Sequence, residues 1–253
     1  MSTKKPLILV SNDDGFFSSG IRALAEVAEE FGEVVIVAPD REQSAVGHAI
    51  TTLSPLRVNE VLVAKKFKTF SVNGTPADCI KLAHGNLLDR KPDLVLSGIN
   101  HGNNAGINAL YSGTVSAATE GTVLGYPSIA VSSTSFDEHA DLSGAQEAAR
   151  RIVKYVLKNG LKKGVTLNVN VPEGPFKGME WSRMADSRYV EQYEHRLDPF
   201  NRAYYWLTGK FEMLDKNEDA DINVLSNGKA SVTPIQYDHT DYDLLNNSNG
   251  DDF

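Results

Sequence analysis

The sequence predicts an α/β protein with a Rossmann-like, doubly wound and mostly parallel sheet. Apolar runs of strand length alternate with stretches of helical period through the first two thirds of the 253-residue chain. This alternation is typical of a parallel sheet covered by helices on both faces. Beyond residue 175 aromatic and polar residues mix without helical period, which predicts a C-terminal antiparallel β extension.

The elements of the core follow from the apolar runs and from the helical spacing between them. The first strand is residues 7–10, and Gly32 ends the helical pattern of residues 21–31. Further strands are predicted at 34–38, 58–63, 69–72, 94–97, 129–132 and 165–171. Further helices are predicted at 76–84, 117–124 and 145–157, the first two ending at Gly85 and Gly125.

The C-terminal third is predicted as an extension of the same domain. Residues 1–175 form the catalytic α/β core, and residues 176–253 form a β-hairpin extension and a C-terminal arm continuous with it. Aromatic residues mark the predicted hairpin: Trp181, Tyr189, Tyr193, Tyr204, Tyr205 and Trp206. Such an extension serves either as an oligomer arm or as a cover for one edge of the sheet.

Composition and charge narrow the class of protein. A net charge of −8 argues against binding of a nucleic-acid polymer, which is held mainly by Lys and Arg, although small anions remain open as substrates. The single cysteine, Cys79, cannot form an intrachain disulfide, and no apolar stretch approaches the roughly 20 residues of a membrane-spanning helix. We therefore expect a cytoplasmic protein without a membrane role.

The strongest chemical signal is Asp13 and Asp14, directly after the first strand. Two adjacent carboxylates at the end of a buried strand repel each other unless a cation, a proton or strong donors neutralise them. A helix N-cap would explain one aspartate but explains two adjacent ones poorly. This segment therefore indicates a metal site.

Three later loops add oxygen ligands or backbone donors. Ser44 lies in residues 39–48, although a lone serine is usually a cap or a solvated group. Residues 97–106 contain three asparagines and three glycines, which offer carbonyl oxygens and close backbone approach, or form an ordinary turn. Residues 111–115 open a helix whose N-terminus favours a phosphate, or contain a plain N-cap.

The candidate ligands, two aspartates, a serine and an asparagine, all offer oxygen atoms, and the set contains no cysteine and no paired histidine. Hard divalent cations such as magnesium, manganese or calcium fit this set better than zinc. A metal with open positions beside a phosphate-binding loop indicates hydrolysis of a phosphate ester by a metal-activated water.

With these loops assembled, the chain resembles the SurE family of survival proteins, which are metal-dependent nucleoside 5′-monophosphate phosphatases. The resemblance rests on five segments: LVSNDDG (9–15), VAPDREQSA (37–45), VNGTPADC (72–79), SGINHGNNAG (97–106) and YSGTVSAA (111–118). It implies hydrolysis of nucleoside 5′-monophosphates and leaves 3′-nucleotides and polyphosphate open as further substrates. It also implies a homodimer or homotetramer formed through the hairpin and the C-terminal segment.

The resemblance assigns roles to particular residues. Asp13, Asp14, Ser44 and Asn100 are expected to hold one divalent cation per subunit, either Mg²⁺ or Mn²⁺, with Ca²⁺ able to replace it in crystals. Asp13 and Asp14 are the expected catalytic residues, with Asp13 favoured as acceptor of the water's proton. The substrate phosphate is expected to contact the set Asn104, Ser112, Gly113 and Thr114.

Two other functions are compatible with the same fold. A phosphatase that forms an aspartyl-phosphate needs a nucleophile at the position of Asn12, and an amide cannot serve as one. A nucleotide-binding regulatory module without hydrolytic activity is the alternative from another class, but no Gly-x-Gly-x-x-Gly follows the first strand. Metal-independent binding of an intact nucleotide would favour that alternative.

Overall fold

The computed structural model describes residues 5–64 and 66–248, and a nine-stranded sheet lies at its centre. The strands are β1 (Leu7–Ser11), β2 (Glu33–Pro39), β3 (Val58–Val63), β4 (Phe67–Val72), β5 (Leu94–His101), β6 (Ser128–Ser133), β7 (Val165–Val171), β8 (Met179–Trp181), β9 (Ser187–Leu197), β10 (Ala203–Met213) and β11 (Ala230–Gln236). The helices are α1 (Ser19–Glu29), α2 (Pro76–Leu82), α3 (Asn108–Tyr111), α4 (Gly113–Val123), α5 (Ser143–Asn159), α6 (Asp221–Ser226) and α7 (Tyr242–Asn247). Residues 249–253, the end of the predicted C-terminal arm, lie outside the described residues.

The sheet confirms the predicted fold class. Its strand order is β3-β4-β2-β1-β5-β6-β7-β11-β8, and the strands from β4 to β7 are parallel neighbours. Helices α1 and α5 pack on one face, and α2 and α4 pack on the other. In β5, for example, Leu94 and Leu96 face the first pair of helices while Val95 faces the second. Apolar residues on both faces of a strand are expected where helices cover both sides.

Two predicted boundaries are wrong, one at the end of a strand and one at the end of a helix. Strand β5 runs on to His101 through the predicted loop, because Asn100 and His101 pair with Ser132 and Ser133 of β6 across a bulge. Gly85 does not end a helix, since the helical backbone continues from α2 through a π-helical turn at Ala83–Leu87.

The C-terminal region contributes both to the main sheet and to a separate antiparallel hairpin. Strand β11 pairs antiparallel with β7 and parallel with β8 at the end of the large sheet. Strands β9 and β10 pair only with each other in the described residues, which matches the predicted antiparallel extension. Across residues 5–64 and 66–248, every helix is too short or too polar to cross a membrane.

Candidate metal and phosphate site

The predicted site residues meet at the carboxyl edge of the parallel sheet. Asp13 and Asp14 follow β1, Ser44 lies in the loop after β2, and Asn100 lies near the end of β5. The N-terminus of α4 is directed at the same edge, because Thr114 contacts Asp13. Ligands of open α/β sheets bind at this edge, where loops from neighbouring strands converge.

Asp13 is buried and held by the first turn of α4. The Thr114 hydroxyl donates a hydrogen bond to its Oδ1, and the nearby backbone N–H groups of Gly113 and Thr114 also favour its charged form. A side chain at position 113 could not fit, because a β-carbon there would lie 2.8 Å from Cβ of Asp13. Burial raises the pKa of Asp13 above its ordinary value even though these donors lower it.

The carboxylate of Asp14 has fewer hydrogen-bond partners than that of Asp13. Burial raises its pKa to about 7, and the negative charges of Asp13 and Glu42 add to the rise. The nearby backbone N–H of His101 lowers the pKa of Asp14, but Oδ2 is buried without a hydrogen-bond partner among the described residues. A buried carboxylate oxygen without a donor fits a cation ligand, since such an oxygen is costly to leave unpaired.

Ser44 and Asn100 bring neutral oxygens to the aspartates. The backbone N–H of Gln43 donates to the carbonyl of Asp13 at 2.7 Å, which places Ser44 one residue from that contact. The Ser44 hydroxyl is exposed and donates to Oε1 of Glu42 at 2.5 Å. Asn100 uses its Nδ2 to donate to the carbonyl of Gly102 at 2.7 Å, which leaves its Oδ1 available as an acceptor.

The ligand set fits a hard cation only when these neutral oxygens are counted. In the described part of the chain, no group of three His, Cys, Asp or Glu side chains has a metal-binding arrangement. A cation at this edge would therefore take two carboxylates from Asp13 and Asp14 and its other protein ligands from Ser44 and Asn100. Oxygen ligands of this kind suit magnesium or manganese, which usually retain several waters.

In this structure, residues 112–114 of the predicted phosphate-binding turn make contacts that stabilise the fold. The Ser112 hydroxyl accepts a hydrogen bond from the backbone N–H of Val115 at 3.1 Å and so caps α4. Thr114 donates to Asp13, and Gly113 allows the close approach of α4 to that aspartate. This turn thus couples the N-terminus of α4 to Asp13, a contact that the sequence did not reveal.

Asn104, the other predicted phosphate ligand, is clamped by three side chains from two strands. Its backbone N–H donates to Oδ1 of Asn170 at 2.7 Å, and its carbonyl accepts from Nδ2 of Asn168 at 2.8 Å. Its own Nδ2 donates to the Ser132 hydroxyl at 2.9 Å. These residues were not predicted from the sequence, although two asparagines at alternate positions of the apolar strand β7 mark one polar face.

The loop that carries Ser44 is tied to two helices. Oε2 of the buried Glu120 on α4 lies 2.8 Å from Nε2 of His48, and Lys81 donates to the other oxygen of Glu120 at 3.1 Å. Further along the loop, the backbone N–H and hydroxyl of Thr51 donate to the carboxylate of Asp78 on α2. These contacts fix a long loop without regular structure at the edge of the site.

One depression on the surface of the chain is not part of this site. It has a volume of about 480 Å³ and is lined by residues that precede strands, including Pro6, Asp93 and Pro127. It therefore lies at the amino ends of the strands, opposite the aspartates. The candidate site is therefore located by the positions and the chemistry of its residues.

The chain is similar to known proteins over almost its whole length. Residues 8–191 match the family model described as "Survival protein SurE". The 5′-nucleotidase SurE of Cytophaga hutchinsonii is 49% identical over 98% of this chain and 97% of its own length, and that of Christiangramia forsetii is 47% identical over 97% and 96%. The crystal structure of the SurE protein from Aquifex aeolicus is 40% identical with a TM-score of 0.82, covering 95% of this chain and 97% of that one.

Proposed function

Because the chain belongs to the SurE family of survival proteins, we propose that the Asp13–Asp14 edge is the centre at which it hydrolyses nucleoside 5′-monophosphates. The chain is a metal-dependent 5′-nucleotidase, in agreement with curated relatives that match it nearly end to end. The products are the nucleoside and inorganic phosphate. The observation that supports this location is that the buried Asp13 adjoins the half-buried Asp14, whose Oδ2 is buried without a hydrogen-bond partner in the described residues.

We propose that Asp13, Asp14, Ser44 and Asn100 hold one divalent cation per subunit, either Mg²⁺ or Mn²⁺. When bound, such a cation neutralises phosphoryl charge and lowers the pKa of a water molecule. Among the described residues, no basic side chain lowers the pKa of Asp13 or Asp14. The positive charge that the pair needs would then come from the cation, which supports this assignment.

The chain's own residues would orient the reactants. Oxygen of the attacking water forms a bond to phosphorus as the bond from phosphorus to the 5′ oxygen breaks. Asp13, whose Oδ1 accepts a hydrogen bond from the Thr114 hydroxyl, would accept the proton of that water. Asn104, Ser112, Gly113 and Thr114 remain the proposed contacts of the phosphate, with Asn104 preorganised by its clamp.

Phosphate release from nucleoside monophosphates tests the site, measured with and without Mn²⁺ or Mg²⁺. We expect cation-dependent release that falls at least about 100-fold in Asp13→Asn and Asp14→Asn, because each loses a charged ligand. The matched control is Asp89→Asn, an exposed aspartate outside the site, which should retain parental activity. Release that is equal in all four proteins would refute the assignment, and metal-independent nucleotide binding without release would favour the regulatory module.

The range of substrates and the compartment are further parts of the proposal. We propose that 3′-nucleotides and polyphosphate are also hydrolysed, because the residues that we assign contact phosphate and not the base. Comparison of their rates with that of a 5′-nucleotide tests this. The cytoplasm remains the proposed compartment, consistent with a single cysteine, Cys79, which is buried and unpaired.

We propose that the β9–β10 hairpin joins subunits into a homodimer or homotetramer. One face of the hairpin is apolar and exposed, and Tyr193 pairs across it with Leu207. Apolar patches of this kind mark interaction surfaces. Tyr193→Asp should dissociate the assembly in sedimentation analysis, whereas Gln192→Asp on the opposite face should not. A parent protein that sediments as a monomer at all concentrations would refute the proposal.

A further inference from the structure

An aromatic ring stands exposed beside the metal-site loop. Phe136 follows β6 in the loop that leads to α5, and 80% of its surface is exposed. Its ring lies directly against Gly102, where a β-carbon would be 2.4 Å from Cε1 of the ring. Gly102 has a φ of +99° and no side chain, so its backbone can accept the ring at this distance.

Hydrogen bonds hold the backbone of the Phe136 loop on both sides of the ring, at residues 135 and 138. On one side, the backbone N–H of Gly102 donates to the carbonyl of Ser135 at 2.7 Å. On the other, the Ser19 hydroxyl of α1 donates to the carbonyl of Glu138 at 3.0 Å. Because the backbone around the ring is already ordered, binding a ligand there loses little backbone entropy.

Gly102 connects the ring of Phe136 to Asn100, one of the proposed cation ligands. The carbonyl of Gly102 accepts a hydrogen bond from Nδ2 of Asn100 at 2.7 Å. The same loop therefore positions Asn100 on its inner side and supports Phe136 on its outer side. A nucleoside 5′-monophosphate whose phosphate lies at the aspartates must extend its ribose and base from the site toward the rim, and Phe136 lies on that rim.

We propose that Phe136 is a specificity-determining residue that stacks on the base of the nucleotide substrate. This inference rests on the proposed location of the phosphate at Asp13 and Asp14. Stacking uses the face of the base, which all nucleobases share, so Phe136 favours nucleotides over phosphate esters without a base while tolerating different bases. Phe17 is a weaker candidate, because it packs edge-on against Phe16 with ring centroids 5.4 Å apart.

The test compares one substrate that has a base with one that lacks it. KM and kcat are measured for adenosine 5′-monophosphate and for ribose 5-phosphate with the cation-loaded parent and with Phe136→Ala, Phe136→Leu and Phe136→Trp. Phe136→Ala should raise KM for the nucleotide about 5- to 30-fold, the lower part of the range for loss of one base–aromatic stack. Its effect on KM for ribose 5-phosphate should be less than about 2-fold.

The two other variants separate stacking from packing. Phe136→Trp should restore the nucleotide KM, whereas Phe136→Leu, which keeps an apolar contact with Gly102, should not. The matched control is Phe200→Ala in the turn of the β9–β10 hairpin, where the phenylalanine is 78% exposed. This variant should give parental KM values for both substrates.

Each other outcome counts against the inference. Equal losses on both substrates would show that Phe136 only supports the Asn100 loop, and rescue by Leu would show the same. An unchanged nucleotide KM in Phe136→Ala would exclude stacking. Failure of the proposed site itself gives a different result, because Asp14→Asn would then hydrolyse both ribose 5-phosphate and the nucleotide as well as the parent does.

Discussion

Replacing Asp14 by Asn is expected to stabilise the metal-free protein at alkaline pH while it removes activity. The pKa of Asp14 is raised from 3.8 to about 7, chiefly by burial. Because the folded state holds this proton more tightly than the unfolded chain, the contribution is fully present below pH 3.8 and is lost as the pH rises through 7. At 1.36 kcal/mol per unit, the ionised carboxylate lowers the free energy of unfolding by about 4 kcal/mol at pH 8.

Urea unfolding in the presence of a chelator measures this effect at pH 5, 6, 7 and 8. The difference in free energy of unfolding between Asp14→Asn and the parent should grow by about 3 kcal/mol from pH 5 to pH 8. Asp89→Asn is the control and should follow the parent. Addition of Mn²⁺ at pH 8 should stabilise the parent more than Asp14→Asn. Parallel pH profiles for the two proteins would contradict the raised pKa of Asp14 and the lack of a compensating charge at its buried Oδ2.

Three further outcomes follow from other contacts of the site. Gly113→Ala should lower kcat at least about tenfold and destabilise the fold by about 1–3 kcal/mol in urea unfolding. The reason is that the new β-carbon would lie 2.8 Å from Cβ of Asp13. Asn170→Leu should cost about 1–3 kcal/mol in the same assay and lower kcat, since the backbone N–H of Asn104 loses its acceptor. Glu120→Gln should weaken Mn²⁺ binding several-fold in a titration, because it loosens the loop that carries Ser44; parental affinity would contradict that tether. The pKa of Glu120 is lowered by its partners despite burial, so its contribution to stability is present above pH 4.5 and is lost at lower pH.

The core of the fold was predictable because its strands are apolar on both faces. Such runs stand out from the helices between them, and the predicted fold class was confirmed. Strand β11 was not identified, and Pro234 in its middle weakens any local signal for a strand. Its pairing with β7 spans more than sixty residues of sequence, and only the folded chain supplies that partner.

Local sequence also marked the residues of the candidate site, but not how each is held. Asp13 and Asp14 are conspicuous because two adjacent carboxylates after a buried strand require compensation. That Thr114 donates to Asp13 could not be read from the chain, since about a hundred residues separate them. Asn168 and Asn170 likewise acquire their role only when β7 lies beside the loop that contains Asn104.

The class of sheet, the family and the oxygen-rich set of candidate site residues could be predicted from the chain alone, because each prediction depends on residue type and short-range spacing. The tertiary structure alone decided which donors hold each carboxylate, which strands clamp Asn104 and which ring stands at the rim. These features depend on hydrogen bonds and contacts between residues far apart in the chain. Their geometry is fixed only when the helices pack on the sheet and bring the carboxyl ends of its strands together.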